Sequence, residues 1–184
     1  MIRALFILSI LTYLGEASLI NVSSATYDGT CSATRNGEKW SALVYIDSIS
    51  IHKSPAPPYY IFRADVYSPG GLWVESMTIR NLKLSYMRQH ITSTDRFDRI
   101  GAVSADYFTL DGDGYVADKY ELDTRNGDSY LQLTHFDEST EEVTGVFQLG
   151  FSLSESRRDG RPTLKNIQIA NGTFKATLKR EWFE

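Results

Sequence analysis

Between Ser129 and Leu178 the chain alternates apolar and polar residues through several consecutive stretches, and this constrains the fold more than any other feature. Leu131 and Leu133 form one apolar row. Phe147, Leu149, Phe151 and Leu153 form another, with Gln148, Gly150 and Ser152 on the opposite face. A period of two sets one row against a core and the other toward solvent, as in a half-buried strand. Ile167 and Ile169 lead into Asn171-Gly172, and Thr173, Phe174, Ala176 and Leu178 lead out. Asn-Gly readily accepts positive φ at both central positions of a two-residue turn, so the spacing predicts a terminal hairpin here.

The same grammar runs through the rest of the chain. Asn36-Gly37 separates Cys31–Arg35 from Lys39–Ile46, with Trp40, Ala42 and Val44 on one face and Leu43 and Tyr45 on the other. Ser68-Pro69-Gly70-Gly71 turns a strand over Tyr59–Tyr67 into one over Leu72–Leu84, and Asp111-Gly112-Asp113-Gly114 joins Val103–Leu110 to Tyr115–Leu122. Asn126-Gly127 supplies a third Asn-Gly turn before Tyr130. Alternation stops only from Ser85 to Ala102, a long polar connection. About ten short strands at hairpin spacing, with almost no helical period, predict an all-β chain: an antiparallel β-sandwich or, as the alternative, a β-barrel.

A length of 184 residues, 42% hydrophobic and 12% aromatic, suffices for one compact core. Met1-Ile2-Arg3, the apolar block Ala4–Leu14 and Gly15-Glu16-Ala17 have the layout of a secretory signal peptide cut after Ala17, with a second possible cut after Ala25. The apolar block is shorter than the roughly 20 residues a bilayer-spanning helix needs. The expected organisation is residues 1–17 as signal peptide, 18–27 as flexible leader and 28–184 as a single β domain that is periplasmic or extracellular, with no membrane span in the mature chain. The formal net charge is −4, and removing residues 1–17 deletes one Arg and one Glu, so no basic excess appears and nucleic acid is not an expected partner. Cys31 is the single cysteine, which leaves no intramolecular disulfide; an intermolecular bridge or a buried thiol are the open readings.

The segments Asn36-Gly37-Glu38-Lys39-Trp40-Ser41-Ala42, Leu131-Gln132-Leu133-Thr134 with Asp137, Thr144-Gly145-Val146-Phe147 and Ile169-Ala170-Asn171-Gly172-Thr173-Phe174 together resemble a family of exported proteins and lipoproteins found mainly in Bacteroidetes, catalogued as a domain of unknown function. Its pattern is an NG-x-x-W start, a G-T-F strand and an N-G-x-F end. Val146 stands where that family usually has threonine. Leu14-Gly15-Glu16-Ala17-Ser18 lacks the cysteine that its lipoproteins carry after the leader, so the resemblance implies export without a lipid anchor. These are turn and core residues, and they imply a location and a fold rather than a reaction.

Candidate chemistry is sparse. Asp111 and Asp113, with Asp118 and Glu121 beyond, suggest oxygen ligands for calcium. Counting Asp111 as first ligand, however, puts Val116 where a calcium loop needs glycine and Leu122 where it needs glutamate. Asp-Gly pairs at a hairpin tip meet the φ requirement of the turn, so no cofactor is expected. His52, His90 and His135 stand far apart and in no metal-ligand spacing. Arg88, His90 and Asp95 in the 85–102 loop form the best polar cluster for a hydrolase-type site. Tyr59, Tyr60 and Trp73, beside prolines or glycines at strand ends, are the aromatics placed to stack on a sugar. The leading expectation is a non-enzymatic binding or structural module of the bacterial cell envelope. The alternatives are a carbohydrate-binding module built on Tyr59, Tyr60 and Trp73, an enzyme built on the 85–102 loop, and an assembly subunit with an open edge strand near Lys175–Trp182.

Overall fold

A computed structural model describes residues 27–49, 59–92, 102–125, 127–158 and 163–179. The leader, His52, the 54–58 prolines, Asp95, Asn126, Trp182 and Phe183 fall outside these residues. Every regular element among the described residues is a strand: β1 (Gly29–Arg35), β2 (Glu38–Ile49), β3 (Tyr59–Tyr67), β4 (Trp73–Leu82), β5 (Gln89–His90), β6 (Ser104–Leu110), β7 (Val116–Leu122), β8 (Tyr130–Asp137), β9 (Glu142–Ser156) and β10 (Asn166–Lys179). No described helix is long and apolar enough to cross a membrane.

The expected all-β class and strand number hold, and the architecture is the barrel rather than a two-sheet sandwich. One sheet runs β1-β2-β3-β4-β6-β7-β9-β10 and closes because β1 pairs with both β2 and β10, giving an eight-stranded antiparallel barrel. Closure removes the open edges that a flat sheet of this size would present. The fifteen-residue β9 carries two strands on one flank: β7 pairs with Phe151–Ser156 and β8 with Glu142–Gln148, so β7 and β8 lie end to end. The short β5, inside the long polar connection, adds to β8 at Leu131 and Tyr130.

The expected hairpins form at three of the marked turns. Asn36 and Gly37 both take positive φ, at 52° and 86°, and Gly71 and Gly114 do the same in their turns. The terminal hairpin does not form. Chain positions 166–179 are one strand, and Asn171-Gly172 is a β-bulge where the register slips between Ile169 and Gly172. Asn171 alone takes positive φ, at 53°, and Gly172 does not, so the chain kinks without reversing. The bulge also corrects phase. Buried Ile167 and Ile169 are odd-numbered, whereas buried Phe174, Ala176 and Leu178 are even-numbered, and one extra residue keeps both sets facing inward. Gly172 serves packing: a Cβ there would lie 2.6 Å from the Phe147 ring. With β9 on one side of β10 and β1 and β2 on the other, Lys175–Lys179 is not an open edge. The open edge is on β8, where Gln132–Asp137 pairs with β9 and with no second strand among the described residues.

Side chains fill the barrel. Toward one end Phe62, Phe147 and Phe174 pack together, with centroids 5.0 Å apart for Phe62–Phe174 and 5.7 Å for Phe62–Phe147. Toward the other, Tyr107 contacts Tyr120 and Phe151, each at 5.6 Å. The gap between Ile46, Phe62, Leu131, Val143 and Phe174 measures only about 10 Å³, so the interior is a packed core, as expected when eight strands close. Trp40 lies in it beside Ala42 and Val44, on the face that its spacing predicts, and so does Cys31. Burial pushes the Cys31 thiol up to about 12.

Candidate functional site

Strand alternation concentrates the chemistry at one corner of the barrel, where β6, β7 and β9 end. Neighbouring residues there serve opposite faces. Phe108, Ala117, Lys119 and Arg157 face an outer groove, while Thr109, Asp118 and Arg158 meet on the inner side, in phase with Tyr107 and Tyr120.

The outer groove holds about 330 Å³ and is lined by Phe108, Val116, Ala117, Lys119, Glu155 and Arg157. Its floor is apolar and its wall is charged. Glu155 lies 3.7 Å from both Lys119 Nζ and Arg157 Nε, too far for tight pairing, so one carboxylate stands against two cations. Tyr115, 69% exposed, directly precedes Val116 in the chain.

The inner side, the barrel mouth, is a partly buried ionic network. Glu75 Oε1 accepts from Arg35, while Glu75 Oε2 accepts from Tyr107 Oη at 2.6 Å and Trp40 Nε1 at 3.1 Å. Arg35 also donates to Tyr107 Oη at 3.2 Å. Asp118 Oδ2 accepts from Thr109 Oγ1 at 2.9 Å, and Asp118 Oδ1 from Ser156 Oγ at 2.7 Å. Arg158 Nε is 2.8 Å from Asp118 Oδ2 and its Nη2 donates to Thr109 Oγ1 at 3.2 Å. Buried charges persist only when paired in this way. Burial and the Glu75 carboxylate push the Tyr107 phenol far above its usual range, and burial with the Asp118 charge pushes Tyr120 up to about 12.

Trp73 sits behind the groove. Its ring meets the Phe108 ring edge-on at 5.5 Å, the Arg63 guanidinium lies 4.8 Å from its centroid, and its Nε1 donates to the Glu75 carbonyl. Tyr60 is a core residue and Tyr59 is half-buried. As adjacent residues of β3 they point to opposite faces, so Tyr59, Tyr60 and Trp73 do not make one stacking platform. Arg88 and His90 do converge, on Asp128: His90 Nδ1 is 2.9 Å and Arg88 Nη1 3.3 Å from its oxygens, and the Arg88 guanidinium lies 4.0 Å over the Tyr130 ring. All three are exposed, and His90 and Asp128 border a hollow of about 170 Å³, half the volume of the groove. Asp111 and Asp113 are hairpin-tip residues; Asp111 Oδ1 accepts the Asp113 and Tyr115 amides at 3.1 and 3.0 Å, which closes the turn. Among the described residues no three His, Cys, Asp or Glu side chains gather as metal ligands.

The mouth residues carry a signal that the sequence reading passed over. Glu75 is in phase with the buried Met77 and Ile79, Asp118 with Tyr120 and Leu122, and Arg35 with Cys31 and Ala33. A charge in the apolar row of a strand must find a buried partner, and three such positions on separate strands mark a shared ionic cluster. Comparison with known proteins finds no matching family model, no matching curated protein and no matching solved structure.

Proposed function

We propose that the protein is an exported, non-enzymatic binding module that holds a glycan in the groove over Phe108, Val116 and Ala117. One observation carries this reading: a concavity of about 330 Å³ with an apolar floor and charged wall lies on the outside of a barrel whose interior is filled. Binding sites of this size combine apolar contact area with a few orienting polar groups. Tyr115 and Phe108 offer ring surface for the apolar face of a sugar, and Lys119, Glu155 and Arg157 offer donors and acceptors for its hydroxyls. The carbohydrate reading thereby moves from Tyr59 and Tyr60 to the neighbourhood of Trp73. Export rests on the leader and on the family resemblance.

The reading is tested by a thermal-shift screen of the mature chain against neutral and acidic oligosaccharides. A ligand at a hundred times its Kd adds about 2.7 kcal/mol to the folded state. The expected result is a rise with at least one glycan that is lost in Tyr115→Ala and Lys119→Ala. A rise that both variants retain, or a flat response across the panel, refutes the groove.

A second reading has its own observation. The open edge of β8 lies beside the exposed Tyr86 and Met87, and Gln132 Nε2 donates to the Tyr86 carbonyl, so a protein partner adding a strand there would find backbone groups and apolar side chains together.

A further inference from the structure

The wall of the outer groove carries more positive charge than it neutralises. Lys119 and Arg157 face a single carboxylate, Glu155, whose Oε2 lies 3.7 Å from Lys119 Nζ and whose Oε1 lies 3.7 Å from Arg157 Nε. Both separations exceed hydrogen-bond length, so these contacts are loose ion pairs. The next carboxylate inward, Asp118, is 2.8 Å from Arg158 and accepts from Thr109 and Ser156, so it does not balance the wall. Both groove cations stand on fixed backbone. Lys119 lies in β7 between its cross-strand neighbours Phe108 and Glu155, and its carbonyl accepts from Ser154 Oγ at 3.0 Å. Arg157 directly follows β9, and its amide donates to the Ala117 carbonyl at 2.8 Å.

We infer, on the footing that the groove holds a glycan, that it selects one bearing an anionic group, a carboxylate or a sulfate ester, set against Lys119 and Arg157 with a sugar face on the Phe108 floor. The side chains of Lys119 and Arg157 are 40% and 67% exposed, so a ligand reaches both. A guanidinium presents its N–H groups in a planar fork that matches two oxygens of one anionic group, while the lysine ammonium acts as a point charge. Hydrogen bonds to charged groups contribute more than those between neutral ones, so an anionic sugar gains over a neutral sugar of the same shape. Glu155 has the opposite role. It is the like charge that an anionic ligand must approach, and it moderates the preference. The chain as a whole is formally −4, so the selection is local to the groove and owes nothing to long-range attraction by net charge.

The test is isothermal titration of the full chain with galacturonate, sulfated galactose and neutral galactose oligosaccharides of one length, which separates a carboxylate source from a sulfate one. The expected result is binding of an acidic oligomer about tenfold tighter than the neutral one. That ratio should fall toward unity in Lys119→Met and Arg157→Gln and rise in Glu155→Gln. It should also shrink as sodium chloride is raised, because salt screens exposed charges. A neutral oligomer that binds as tightly as both acidic ones overturns the selectivity and leaves the groove standing as a glycan site. An acidic preference that Lys119→Met and Arg157→Gln both retain overturns it as well. Absence of binding by all three oligomers overturns the selectivity and the glycan reading together.

Discussion

The two ends of the barrel solve the problem of filling it in opposite ways. At one end Phe62, Phe147 and Phe174 interlock, and glycines make the room: a Cβ on Gly145 would lie 2.5 Å from the Phe174 ring, and one on Gly172 2.6 Å from the Phe147 ring. At the other end Tyr107 and Tyr120 bring hydroxyls into the core, and Arg35, Glu75, Asp118 and Arg158 close over them. Apolar packing gains from every contact and asks only for shape. A buried ionic network pays desolvation first and recovers it through geometry, so hydrophobic replacements of matched volume often equal it in stability. The difference teaches that the apolar end is held by shape alone, while the polar end is held by the pairing of its charges.

The comparison breaks most visibly at the apolar end. Phe147→Ala should cost about 3–5 kcal/mol, read as a lower urea midpoint, since a 1% exposed ring in contact with two others leaves a cavity behind. Next comes Glu75→Leu, which strands the Arg35 guanidinium; a loss of about 2–4 kcal/mol is expected. Adding Arg35→Met to it should restore part of that loss. A double variant less stable than Glu75→Leu alone would show that the pair does more than neutralise itself.

Alkaline pH sharpens the contrast further. Tyr107 and Tyr120 have folded-state values raised above the usual ~10 of a phenol, and Cys31 is raised from the usual ~8.5 of a thiol to about 12. The folded chain therefore holds these protons more tightly than the unfolded one. Their contribution is fully present below about pH 8.5 and is lost as pH rises toward 12 and beyond. Chemical unfolding at pH 8, 10 and 11 should show falling stability, with a shallower fall in Tyr120→Phe; a stability independent of pH over this range contradicts the assignment. The smallest effects belong to the outer groove, where Tyr115→Ala and Lys119→Ala should each change stability by no more than about 0.5 kcal/mol while changing binding.

What the sequence discloses and conceals follows the range of each interaction. Strands and tight turns are local, so period-two runs and the Asn36-Gly37 pair are legible from neighbouring residues alone. The Asn171-Gly172 bulge is not, because Ile169 and Phe174 are five positions apart, and an odd offset suits a hairpin and a bulge equally; only the pairing of β10 with β9 on one side and β1 on the other decides. Closure is less legible still, since Thr30 pairs with Lys175 across almost the whole described chain. Of the candidate site residues, Arg88 and His90 were legible as a local cluster, although Asp128, the group that joins them, comes from the far side of β7. The mouth was legible only as isolated charges in apolar rows, and their meeting required the barrel.

The most direct test of the division between the two ends is a residue-resolved NMR titration of backbone amides with the glycan panel. The account predicts shift changes confined to the polar corner, at Phe108–Thr109, Val116–Tyr120 and Glu155–Arg158, with Leu131–Leu133, Val143–Phe147 and Gly172–Leu178 silent. Perturbations centred on β8 and the apolar end, or none under any ligand, would contradict it.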